Sequence, residues 1–201
     1  MVDALSIARS ELILGGQKSG KSRRAEWLAK TWLAASPQHK ATLIATGQAG
    51  DEEMRHRIAR HQRERAERVP GLQTLEEPRL LAEAIAAHSH PDTLLVVDCL
   101  TLWLTNWLMP FEPAMASDPE SNRPLATDAS APIAMLLGAI RSAPGPLVLV
   151  GNEIGLGVIP MGREVRAFVD ALGRLNQDVA QACARVTLMA AGLPLTLKGT
   201  A

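Results

Sequence analysis

The chain has little cysteine. Cys99 and Cys183 are its 2 cysteines in 201 residues. They are too few and too far apart in sequence for a disulfide scaffold or a zinc site, and they read as buried thiols of a reducing, cytoplasmic compartment. It also lacks an excess of either charge: Lys plus Arg and Asp plus Glu both number 21. A balanced chain has no overall pull toward nucleic acid or a membrane surface, so any anion binding must come from local clusters. No apolar run reaches the ~18 residues that a membrane span needs. Residues 1–10 carry Asp3 and no basic stretch, unlike a signal peptide, and read as a short N-terminal extension. No internal repeat is present. What remains is an ordinary globular composition, 47% hydrophobic and 21% charged, expected to form one domain over 1–201.

The hydrophobic pattern predicts alternating strands and helices. Strands are expected at 11–14, 41–46, 93–98, 146–150, 185–191 and 195–198. Helices are expected at 22–35, 51–68, 78–88, 101–108, 133–142 and 162–184. Several strands are continuously apolar, which implies a mostly parallel sheet covered by helices on both faces, an α/β fold. The helix over 51–68 is polar and charged throughout and reads as solvent-facing. Residues 110–132 are rich in Pro, Ser and Asp and read as a mobile surface loop.

Gly15-Gly16-Gln17-Lys18-Ser19-Gly20-Lys21-Ser22 fits G-x-x-x-x-G-K-[ST] and lies between a predicted strand and a predicted helix. The glycines let backbone N–H groups turn toward a phosphate, and the helix adds its free amides and positive dipole end. Lys21 is placed to reach the β- and γ-phosphates, and the Ser22 hydroxyl to ligate Mg²⁺. Asp98 closes the most apolar strand. It is either the acid that holds the metal with Ser22 or a cap for the helix that follows.

His61 stands among arginines. At helical spacing Met54, Ile58, His61 and Arg65 share a face, with Arg57 one turn before the histidine and Arg65 one turn after it. Two guanidiniums can hold phosphate oxygens and keep the imidazole neutral, and a neutral ring nitrogen can attack phosphorus. The alternative is a solvated charged face carrying an incidental histidine. His39, His56, His88 and His90 lack this setting and read as surface residues. A second glycine-rich stretch, Asn152-Glu153-Ile154-Gly155 through Pro160, follows a strand end. It is either a ligand loop or a tight turn.

Four segments, in order, resemble the adenosylcobinamide kinase/adenosylcobinamide-phosphate guanylyltransferase family of cobalamin biosynthesis. They are Gly15–Ser22; Ile44-Ala45-Thr46 through Asp51–Met54 with Arg57-Ile58-x-x-His61-x-x-x-Arg65; Val97–Thr101 with Asn106; and Gly151-Asn152-Glu153-Ile154-Gly155-x-Gly157-x-x-Pro160, continuing through Arg166, Phe168, Asp170, Gly173, Asn176 and Gln177. The resemblance implies a RecA-like P-loop domain. It implies phosphorylation of adenosylcobinamide by ATP or GTP, then transfer of GMP from GTP through a guanylyl-histidine, which falls on His61. It implies guanine-nucleotide contacts at Thr46, Gly47, Gln62 and Glu76, and a homo-oligomer with sites near subunit boundaries. Leu72-Gln73 stand where relatives commonly have Trp, and Ala184 where they often carry an acid. Two other readings are a P-loop kinase or ATPase with an unrelated acceptor, in which His61 is dispensable, and a nucleotide-gated binding module.

Overall fold

A computed structural model describes residues 7–48, 52–109, 129–158 and 161–199, with the side chains at 53–55, 57, 58 and 61 outside that description. In chain order the strands are β1 (Ser10–Gly15), β2 (Lys40–Ala45), β3 (Leu72–Glu76), β4 (Thr93–Asp98), β5 (Leu147–Val150), β6 (Arg185–Ala190) and β7 (Leu193–Lys198). The helices are α1 (Lys21–Ala35), α2 (Glu52–Arg68), α3 (Leu81–His88), α4 (Leu100–Leu108), α5 (Ser130–Ser142) and α6 (Arg163–Ala182). The strands form one sheet in the order β3-β2-β4-β5-β1-β6-β7, parallel except for β7, which pairs antiparallel to β6. The expected α/β fold, a mostly parallel sheet with helices on both faces, is what forms.

The continuous apolar runs are explained by two cores. Successive strand residues point to opposite faces, so a strand buried on both sides must be apolar at every position. Leu12 and Leu14 of β1, Leu95 and Val97 of β4, and Leu147 and Leu149 of β5 pack with α3, α4, α5 and α6. Ile13, Leu94, Val96, Val148 and Val150 face the other way, onto Ala25, Leu28 and Ala29 of α1.

Several boundaries differ from expectation for identifiable reasons. β3 was not anticipated, because it is an edge strand whose leucines are only half-buried, so its sequence shows no apolar run. Ser10 belongs to β1 and is buried; the extension ends earlier than residue 10. Residues 130–132, assigned to the loop, open α5; Pro132 is tolerated because first-turn amides have no intrahelical acceptor to lose. The remainder of that loop, residues 110–128, lies outside the described residues. α3 begins at Leu81 rather than Pro78, since Glu77 Oε1 accepts the amides of Arg79 and Leu80 at 2.9 and 2.8 Å and holds a turn there. His88, His90 and His56 are exposed as expected, whereas His39 is half-buried and stacked on Trp32 with ring centroids 3.7 Å apart.

Candidate active site

In a parallel sheet every strand delivers its carboxyl end to the same edge, which is where ligands bind in such folds. Ala45, Glu76, Asp98 and Val150 end their strands there in register, and Gly15 ends β1 two residues beyond Ile13, the partner of Val150. The P-loop leaves from Gly15. That residue has φ 151°, and a Cβ on it would lie 2.5 Å from the Met189 carbonyl oxygen and 2.6 Å from Ser19 Oγ, so only glycine fits. Gly20, at φ 104°, is the N-cap of α1 and turns the chain into the helix. The cradle is held from outside by Gly192 N–H donating to the Ser19 carbonyl at 3.0 Å. Gly16, Gln17, Lys18 and Ser22 are exposed along it. Lys21 Nζ donates to the Gly16 carbonyl at 2.7 Å, folded back across the loop. Burial lowers the pKa of this ammonium, and Cys99 and Asp98 act in the opposite direction. No acidic residue lies in the first turn of α1 to oppose an anion.

Asp98 is the last residue of β4, and the N-cap position of α4 falls on Cys99, so the capping alternative for Asp98 is not what forms. Thr46 fixes the peptide next to it. The Thr46 hydroxyl donates to the Cys99 carbonyl at 2.7 Å and accepts the Cys99 amide at 2.9 Å. Its own amide donates to the Asp98 carbonyl at 3.2 Å, and its carbonyl accepts Asn106 Nδ2 at 2.7 Å. Thr46 is fully buried. Its polar groups thus serve the strand edge, and Gly47, which follows, is the half-buried position at the surface of the site.

The helix α2 is not simply solvent-facing. Arg65 is buried: its Nη2 lies 3.7 Å from Asp98 Oδ2, and its Nε 3.8 Å from Glu26 Oε1 on α1. Arg68, on the next turn, pairs with Glu26 Oε2 at 2.9 Å. A buried carboxylate with two guanidiniums thus docks the end of α2 onto the P-loop helix. Glu26 carries no signal in sequence, since it sits between the apolar positions of an ordinary amphipathic helix. Earlier on α2, Gln62 Nε2 donates to Glu76 Oε1 at 2.9 Å, which brings together two residues that sequence placed at the nucleotide. His61 lies on the described backbone of α2, between Gln62 and the turn before it. The side chains of Arg57 and His61 are outside the described residues.

The loop after β5 is pinned from three sides. Glu153 N–H donates to the Gly15 carbonyl at 3.1 Å. The amide and Nδ2 of Asn152 both donate to Thr101 Oγ1, at 3.0 and 3.2 Å. Asn176 of α6, 3% exposed, donates through Nδ2 to the Asn152 carbonyl at 3.0 Å and to Glu153 Oε2 at 3.3 Å. Two depressions adjoin this loop, of about 730 and 460 Å³, and share Gly173 and Gln177.

A sequence model described as cobinamide kinase / cobinamide phosphate guanyltransferase matches residues 11–197. The chain belongs to this family. It is 46% identical over 190 residues to the bifunctional adenosylcobalamin biosynthesis protein CobP of Pseudomonas aeruginosa, covering 94% of this chain and 97% of that one. It is 35% identical over 187 residues to the corresponding protein CobU of Escherichia coli, covering 93% and 98%. With the CobU protein of Salmonella typhimurium it shares 36% over 189 residues, again covering 93% and 98%. The flagellar accessory protein FlaH from Methanocaldococcus jannaschii overlaps with TM-score 0.48 at 9% identity, covering 95% of this chain and 78% of that one, too loosely to argue from. As a member of the cobinamide kinase/guanyltransferase family the chain is a transferase. No helix among the described residues is long and apolar enough to cross a membrane.

Proposed function

We propose that this transferase phosphorylates adenosylcobinamide with a nucleoside triphosphate and then transfers GMP from GTP to adenosylcobinamide phosphate through a guanylyl group on His61. The observation that carries this reading is the docking of α2: Arg65, one turn beyond His61, lies against Asp98 at the P-loop edge. The helix bearing the histidine and the nucleotide cradle therefore form one site rather than two.

In the first reaction the acceptor hydroxyl attacks the γ-phosphorus and the bond to the β,γ-bridging oxygen breaks. The backbone amides of 15–22 and Lys21 hold the phosphates and take up the charge that moves onto the leaving diphosphate. In the second, a ring nitrogen of His61 attacks the α-phosphorus of GTP and pyrophosphate leaves. A phosphate oxygen of adenosylcobinamide phosphate then attacks the guanylyl phosphorus, the N–P bond breaks, and the imidazole is regained. Gln62, Glu76 and Gly47 line the route between β2, β3 and α2 and serve the guanine nucleotide, with Thr46 holding their edge to Asp98. Arg57 remains the candidate phosphate ligand on the turn before His61.

The donors at the cradle fit Mg²⁺. They are a hydroxyl and a carboxylate, Ser22 and Asp98, and among the described residues no larger cluster of His, Cys, Asp or Glu exists. Mg²⁺ is commonly held by one or two such oxygens with substrate phosphates completing its shell. Bound there, it would neutralise phosphate charge.

Exposed Leu156, Val158 and Met161 beside α6, and Leu193, Leu195 and Leu197 on the edge strand β7, support assembly as a homo-oligomer. The deciding test uses GTP labelled at the α-phosphate with Mg²⁺. Acid-labile, base-stable label on the denatured protein is expected, absent in His61→Ala and absent with γ-labelled GTP. Well-folded protein that binds GTP and retains no α-label overturns the guanylyl-histidine.

A further inference from the structure

We infer that Glu153 is the general base of the phosphorylation step, taking the proton of the acceptor hydroxyl, with Asn176 as its positioning residue. The inference rests on the kinase half of the proposed function. Its first support is topological. β5 lies between β1, which carries the P-loop, and β4, which carries Asp98. A loop leaving β5 at the carboxyl edge must emerge between the phosphate cradle and the strand-end acid, where the terminal phosphate of a bound nucleotide points.

Its second support is that the loop is fixed there by backbone and buried polar groups rather than left free. Glu153 is tied to Gly15 through its own amide, and Asn152 is tied to Thr101 at the start of α4. Buried Asn176 gives one N–H to the Glu153 carboxylate, at Oε2. The other oxygen, Oε1, has no hydrogen-bond partner among the described residues, so one oxygen is oriented and one is available.

Its third support is elimination among the carboxylates near the edge. Asp98 and Glu26 face Arg65, Glu76 accepts Gln62, and Glu11 is buried against Arg24 and Arg185. Glu153 forms no ion pair among the described residues and lines the smaller of the two depressions, beside Leu14, Val186 and Leu197. That depression has α6 as one wall, through Asn176, Gln177 and Ala180, and an apolar side given by Leu14, Val186 and Leu197. It suits an alcohol borne on a hydrocarbon arm.

The proton inventory is simple. As the alcohol oxygen bonds to the γ-phosphorus, its proton passes to Glu153 Oε1, the nucleoside diphosphate leaves, and the carboxylic acid returns its proton to solvent.

The test compares Glu153→Gln and Glu153→Ala with the unaltered protein in two assays. One follows phosphorylation of adenosylcobinamide from γ-labelled GTP, and the other the α-label retained on the protein. A general base predicts a fall in phosphorylation kcat of about 100-fold or more in both variants. The nucleotide KM and the α-label stay near their unaltered values, which also shows that the variants fold. Formate, small enough to enter the space left in Glu153→Ala, restores part of its rate and does nothing for Glu153→Gln. Phosphorylation within about fivefold of the unaltered protein overturns the inference, set against the ~100-fold loss expected of a base. A parallel loss of phosphorylation and α-label also overturns it, since that marks a residue that merely holds the loop, and so does an absence of formate rescue. Unaltered protein that takes α-label but phosphorylates no cobinamide refutes the kinase reading itself, and this inference with it.

Discussion

Replacing Thr46 by valine keeps the shape of the side chain and removes a single oxygen. That oxygen donates to the Cys99 carbonyl at 2.7 Å and accepts the Cys99 amide at 2.9 Å, at a residue with 0% exposure. Cys99 is itself 8% exposed, so water cannot readily replace either partner. Each buried group left without a hydrogen bond costs about 1–3 kcal/mol, which gives about 2–6 kcal/mol for the pair. A chain of this size loses about 2–4 °C in Tm per kcal/mol, so a fall of about 4–24 °C is expected. Thr46→Ser retains the oxygen and gives up one methyl, about 1 kcal/mol. Urea unfolding of the three proteins measures both differences. Because Cys99 follows Asp98 directly, Thr46→Val should also weaken nucleotide-dependent phosphorylation at temperatures where the variant is folded, while Thr46→Ser should not. A Thr46→Val protein within about 0.5 kcal/mol of the unaltered one would refute the assignment of Thr46 to the strand edge, because a change of that size is what a surface substitution gives.

Gly145 allows close passage of the chain between β5 and the turn before β4. A Cβ there would sit 1.9 Å from the His90 carbonyl oxygen, so Gly145→Ala should destabilise by at least about 1–3 kcal/mol in urea unfolding, whereas Gly138→Ala on α5, with nothing within 4 Å, should stabilise by about 0.5–1 kcal/mol. Burial is the main cause pushing the thiols of Cys99 and Cys183 up, to about 11 and about 12 from an ordinary 9.0. A group whose folded pKa is raised favours the folded state fully below its unfolded pKa and loses that contribution as pH rises through the folded one. Unfolding free energy should therefore decline from pH 9 toward 11 and 12, less steeply in Cys183→Ala, and both native thiols should resist a thiol reagent at pH 8 until urea is added; rapid reaction of either in the native protein would contradict the burial.

The fold was legible because it repeats simple rules. Leu12-Ile13-Leu14 and Leu94 through Val97 are apolar at every position because alternate residues serve opposite cores, and that pattern reads directly as a strand covered on both faces. The glycine turn over 15–22 was legible because its geometry dictates residue type, as Gly15 illustrates, where any Cβ would strike Met189 and Ser19. What could not be read is pairing. β3 has half-buried leucines at a sheet margin, so its pattern is indistinguishable from a loop. Glu26 looks like one more charge on a helix, and Arg65 like one more arginine in a charged run, until α1 and α2 are laid together. Thr46 was assigned to the nucleotide by resemblance, and it lies at the carboxyl edge of the sheet, directly after β2. Its hydroxyl, however, is spent on Cys99, a partner 53 residues away that no local pattern points to.

The Glu26–Arg65–Asp98 chain bears on how one edge could serve the two proposed reactions. Glu26 on α1 and Asp98 on β4 approach the same guanidinium, at 3.8 and 3.7 Å. Arg65 Nε is buried and has no hydrogen-bond partner, a condition that costs about 1–3 kcal/mol and that a well-settled contact would avoid. A phosphate ligand at 15–22 would compete with Asp98 for the arginine, and a divalent cation brought with it would compete with the arginine for Asp98. The charge that docks the end of α2 would then differ between the filled and the empty site, and residue 61 lies one turn before Arg65 on the same helix.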